Sequence, residues 1–253
     1  MQLHLVRLEE SRPGDRAGKR EMKRSREKEL MDLPGNPAAL LEEDLKNLRT
    51  INRHLGAYRG VLSCLKRLVK EKGNARFSLL DIGTGSGDIP VAVARWAREN
   101  GIPATVVGLE PHPVMAEIAR RQTREFPEIS IVRGDGFHSP FAPLSFDFVL
   151  CSQILHHFSE DEIVALVRLW SREARRGLLV SDLVRHPLAY CGIWLLTRLF
   201  SRNEMTRKDA PLSVRRAFTV AEWRELFRRS GSGNFDLFPL FPFRLFAFLP
   251  SGG

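Results

Sequence analysis

Cysteine is scarce: there are three in 253 residues, Cys64, Cys151 and Cys191, an odd number with no C-x-x-C pair. Neither a disulfide scaffold nor a zinc module is expected. Long apolar runs are missing too. The most apolar stretch, residues 187–200, has fourteen residues and contains Arg198, short of the roughly 20 that a spanning helix needs. Residues 1–15 mix charges with isolated apolar side chains and hold no continuous apolar segment of the secretory kind. The expectation is a cytoplasmic chain that folds by hydrophobic burial alone. Its length suits one α/β domain with attachments.

Charge is plentiful but unevenly placed. The formal net charge is +9 and the sequence pI about 10.0, values that ordinarily raise nucleic-acid binding. Residues 1–30 hold nine basic side chains to six acidic, residues 171–229 thirteen to six, and the remainder seventeen to eighteen. The surplus therefore belongs to a front tail and to the back third.

Residues 1–30 are weakly patterned and read as a flexible basic tail, turning helical from about Arg20. Apolar positions at three- and four-residue intervals, Leu41, Leu45, Leu48 and Ile51 among them, predict helices over 31–73. From Phe77 short apolar runs alternate with amphipathic stretches: strands at 77–82, 104–109, 129–133, 145–151 and 177–183, helices at 88–100, 113–125 and 160–173. That order predicts a doubly wound, mainly parallel sheet covered on both faces. Thr219 and Glu222 form a capping-box pattern ahead of another helix, and two strands joined near Pro242 close the chain.

The most informative segment is Asp81-Ile82-Gly83-Thr84-Gly85-Ser86-Gly87-Asp88. A strand enters a glycine turn and a helix leaves it, so backbone N–H groups face whatever lies above the strand's carboxyl end. In the dinucleotide frame that starts at Gly83, Asp88 takes the third glycine position and would repel a pyrophosphate. No Gly-Lys-Ser/Thr follows, as a P-loop requires. A ligand carrying an ammonium and a sulfonium suits the acid at the head of the loop.

Asp81 to Gly87 resembles motif I of the class I S-adenosylmethionine (SAM) dependent methyltransferases. Glu110, closing the second strand before Pro111, resembles the family's ribose-binding acid. Asp135, followed by Gly136, resembles the residue that reads the adenine amino group, and the stretch 146–153, which includes Cys151, resembles the strand and loop beneath the methionine part of SAM. The resemblance covers 77–183 and, more loosely, the last helix and strand pair. It implies a Rossmann-like seven-stranded sheet with an antiparallel last strand, SAM as cofactor, an N-terminal helical lid over 31–73 and a catalytic domain over 74–253. Asp81, Gly83, Thr84, Gly85, Gly87, Glu110, Pro111, Asp135, Gly136 and Cys151 are its implied cofactor residues. No metal is implied.

Acceptor chemistry is narrowed by absences. The Asn/Asp-Pro-Pro-Tyr/Phe motif of amino-methylating nucleic-acid enzymes is replaced by Cys151-Ser152-Gln153-Ile154, and no cysteine follows a proline as pyrimidine C5 chemistry requires. Nucleic acid is disfavoured accordingly. Leu155-His156-His157 resembles a segment of small-molecule and quinone-ring methyltransferases. It makes His156, and less so His157, a candidate general base or acceptor-orienting group; packing or capping is the alternative. The insertion 184–218 opens with Arg185-His186-Pro187 and an apolar run. It predicts a pocket for an amphiphilic or anionic small acceptor, with His186 and Tyr190 as secondary candidates and peripheral membrane contact as a further possibility. A SAM-binding partner protein without turnover and a nicotinamide-dependent oxidoreductase are the competing readings.

Overall fold

The computed structural model describes residues 22–71 and 76–251. Two helices come first, α1 (Ala38–His54) and α2 (Ala57–Glu71). Next follow β1 (Phe77–Ile82), α3 (Asp88–Glu99), β2 (Ala104–Glu110), α4 (Pro113–Thr123), β3 (Ile129–Arg133), β4 (Phe146–Ser152), α5 (Glu160–Glu173) and β5 (Ala174–Leu183). The remainder is α6 (Pro187–Phe200), α7 (Glu204–Arg216), α8 (Val220–Arg229), β6 (Asp236–Leu240) and β7 (Arg244–Pro250).

The seven strands lie in the order β3-β2-β1-β4-β5-β7-β6. The first five are parallel, and β7 runs antiparallel to both neighbours. This is the Rossmann-like, doubly wound fold anticipated from the alternation of elements. Strand residues alternate between two cores because successive side chains point to opposite faces. Leu80, Val149, Leu178 and Val180 pack toward α5 and α8, while Leu79, Phe148, Leu150 and Leu179 pack toward α2 and α3. Burial on both faces explains why these strands read as continuous apolar runs. The capping boxes at Ser159/Glu162 and Thr219/Glu222 are formed and start α5 and α8.

The chain winds outward from β1 to β3 and then crosses back to β4, so the sheet reverses direction between β1 and β4. Loops leaving those two strands diverge and leave a crevice at their carboxyl ends. Over it lie α1, α6 and α7. Thr206 Oγ1 donates to Asp44 Oδ1 at 2.6 Å and Asn203 Nδ2 to the Leu40 carbonyl at 3.2 Å, tying α7 to α1.

The tail expectation fails for residues 22–30; residues 1–21 lie outside the described part. Residues 22–29 form neither helix nor strand, Leu30–Asp32 form a single 3-10 turn, and the segment is threaded against α7 and the turn after β4. Ser25 N donates to the Arg215 carbonyl at 2.9 Å, and Arg24 donates to the carbonyls of Arg216 and Phe158. Asp209 receives the N–H groups of Leu30 and Met31 at 2.8 and 2.9 Å. The segment's bonds reach positions 132 to 192 residues away in sequence, which leaves no periodic pattern to read.

Candidate active site

The crevice is a cavity of about 910 Å³. Its floor is the glycine turn and its far wall is α6, α7 and the N-terminal segment. At the turn, Gly83 has φ +66°, and a Cβ there would stand 2.7 Å from Ile154 Cγ2. Only glycine lets the turn pass beneath the β4 loop. Asp81 is buried and accepts from Thr84 Oγ1 at 2.7 Å. Burial, with Asp88 and Glu110 nearby, pushes its carboxyl up to about 7 against the Thr84 hydrogen bond. Glu110 accepts from Gly85 N at 2.8 Å and His112 N at 3.0 Å, yet burial still raises it to about 7.

The other sequence candidates divide. Thr84, Gly85, Pro111, Asp135 and Gly136 line the cavity, and Asp135 caps the short turn at 136–138 by accepting from Phe137 N. Gly87 sits behind the turn as the α3 N-cap, where a Cβ would meet Thr123 Cγ2 at 2.9 Å. Cys151 does not line the cavity. Strand alternation turns its side chain into the core beside Val149, with the thiol over the Leu179 carbonyl. His186 is likewise off the wall: its ring accepts from Leu188 N and stacks on Phe243, which makes it the cap of α6.

His156 is buried on the wall. Its Nδ1 lies 2.7 Å from Asp182 Oδ1, and its Nε2 lies 3.6 Å from Glu29 Oε1. Burial works against the imidazolium, but Asp182 and Glu29 outweigh it and raise His156 to about 9. Burial also opposes the ionised form of Glu29, yet the two imidazoles and the Ser213 hydroxyl hold its carboxyl below the ordinary range. His157 Nδ1 is 2.8 Å from Asp32 Oδ2. Arg216 ties the assembly together by donating to the carbonyls of His157 and Glu27, with Nε 3.9 Å from Glu29 Oε1. Glu29, Asp32 and Asp182 were not among the sequence candidates. Asp182 closes a strand as a lone acid, and Glu29 sits in the segment read as a tail.

Two features bear on what the cavity takes. Among the described residues, Ser152 Oγ and His112 Nδ1 are buried without a partner, and both residues line the cavity. A polar ligand there would satisfy them. Glu29, His156 and His157 are the described residues that could hold a metal ion; Arg216 already places a positive charge against the same carboxylate.

Residues 79–177 match a family described as a methyltransferase domain. The chain is 33% identical over 164 residues to the demethylmenaquinone methyltransferase of Roseiflexus sp. strain RS-1, covering 60% of this chain and 66% of that one. The stretches matched in other curated relatives span 57% and 38% of their length. Among solved structures, magnesium protoporphyrin IX methyltransferase from Synechocystis with bound SAM aligns at TM-score 0.54 and 16% identity over 88% of each chain. The citrinin polyketide synthase CMeT domain aligns at 0.58 and 14%, covering 76% of this chain and 51% of that one.

Proposed function

We propose, from the class I SAM-dependent methyltransferase domain that this chain carries, that it methylates a small aromatic, quinone-like or polyketide-like acceptor at oxygen or at an activated carbon. One observation carries the reading: the glycine turn with its two buried acids and the Glu29–His156–Asp182 cluster face the same cavity. A relative that acts on demethylmenaquinone and a fold neighbour from a polyketide synthase support the acceptor class.

The turn fits the cofactor. Gly85 has open space on the cavity side, where a Cβ would approach nothing nearer than Leu45 Cδ2 at 3.8 Å. Glu110 in the proposed ribose position and Asp81 below the turn supply carboxylates for hydroxyl and ammonium donors, and Asp135 lies at the adenine end. Bound SAM supplies an electrophilic methyl group on a sulfonium.

The chain's own work is positional and acid–base. An acceptor hydroxyl brought to the wall meets Glu29, ionised and facing the cavity, beside the imidazolium of His156. The proton passes to the Glu29 carboxylate, which becomes neutral, while His156 stays an imidazolium. His156, fixed through Nδ1 by Asp182, holds the oxyanion that remains and so raises the electron density of the acceptor's oxygen or ring carbon. Apolar residues of α6 and α7, Leu196 and Val214 among them, keep water from the site.

Incubation with methyl-labelled SAM and fractionated cell extract tests the acceptor. Label in an organic-extractable small molecule is the expected result. A labelled RNA or protein band contradicts it, and label in no fraction despite SAM binding favours a partner protein without turnover.

A further inference from the structure

The helix α6 is apolar nearly all round. One side, with Ala189, Ile193 and Leu196, faces the cavity. Outside the cavity lining lie Leu195 and Leu199, one turn apart and 53% and 67% exposed, with Phe200 at 81% and Trp194 at 41% beside them, while Leu188, 66% exposed, sits at the cavity rim. A helix apolar on every side is ordinarily buried, and a contiguous exposed patch of this kind marks an interaction surface. At fourteen residues α6 is about 21 Å long, and among the described residues no helix is long and apolar enough to cross a membrane.

We propose that the outer face of α6 docks onto an anionic lipid bilayer and lies in its interface. Charge selects this occupant. No acidic residue occurs between Asp182 and Glu204, whereas Arg198 and Arg202 are exposed at the end of the helix. The Arg198 guanidinium stacks 4.4 Å over the Trp194 ring, the aromatic and cationic pairing that favours the headgroup level. Beside the start of α6, where His186 stacks on Phe243, the β6–β7 turn presents Phe241 to solvent as well. The same helix separates lipid from cavity, so a lipophilic acceptor reaches the site without crossing water. That last role rests on the methyltransferase reading; the docking does not.

The chain carries its own reporter. Of its four tryptophans, Trp96, Trp170 and Trp223 are buried and Trp194 is exposed. Vesicles of phosphatidylcholine with about one-third phosphatidylglycerol are expected to shift Trp194 emission to the blue, and brominated lipid to quench it, with at least tenfold weaker binding to phosphatidylcholine alone. Trp194→Phe removes the signal but not co-sedimentation. Leu195→Glu with Leu199→Glu lowers co-sedimentation at least tenfold while calorimetric SAM binding stays at the wild-type value. Wild-type protein that stays in the supernatant and is unquenched overturns the proposal. So does a concentration-dependent dimer that the double substitution dissolves, since a second copy would then cover the face.

Discussion

Two buried acids and one buried histidine decide what this molecule can bind and do. Glu110 spends its charge on the N–H groups of Gly85 and His112, so Glu110→Gln removes a charge-assisted acceptor worth about 1.5–3 kcal/mol. SAM affinity is expected to fall at least tenfold in this variant and in Asp81→Asn; wild-type affinity in both, read by calorimetry, removes these residues from the cofactor site. His156→Ala leaves SAM affinity within a factor of about two and lowers kcat about 100-fold or more, the range of general acid–base assistance. A proportional loss in cofactor binding would instead make His156 a packing residue. The glycines and Asp81 were legible because a turn pressed under another loop leaves a sequence signature. Cys151 was misjudged because recognising a strand does not say which of its alternating faces meets the cavity.

At the scale of elements, the site is closed by pieces distant in sequence. The segment carrying Glu29 and Asp32 is held by Asp209 of α7 through the N–H groups of Leu30 and Met31. Asp209→Ala is expected to raise hydrogen exchange at those two amides at least tenfold and to lower kcat with SAM affinity unchanged. Unchanged exchange would show that Arg24 and Arg216 suffice to hold the segment. At the turn after β1, Gly83→Ala meets both a positive φ and the Ile154 side chain; a cost of about 1–3 kcal/mol should appear as a lowered Tm, and an unaltered Tm would mean the turn relaxes freely. Strands and helices were readable from their periods of two and 3.6 residues. The closing segment has neither, and only the folded arrangement reveals its partners.

For the whole molecule, the +9 charge acquires an address. Two cations of the back third are internal: Arg185 donates to the carbonyls of Met22 and Ala217 and to Glu222, and Arg216 to three carbonyls around the cluster. These cations fasten the N-terminal segment and the insertion to the sheet. Among the exposed cations, Arg198 and Arg202 lie at the end of α6 beside its apolar face.

Calorimetric titration of SAM between pH 6 and 8 shows whether the glycine turn and its acids receive SAM. Asp81 and Glu110 sit near 7 in the ligand-free protein, above their ordinary values, so both are largely protonated at pH 6 and ionised at pH 8. The hydroxyl and ammonium donors of SAM favour the ionised forms. Binding should therefore tighten about tenfold from pH 6 to 8 for each acid that must ionise, about 100-fold for both, and release protons near pH 7. No heat of binding at millimolar SAM, or an affinity that weakens as pH rises, contradicts the account.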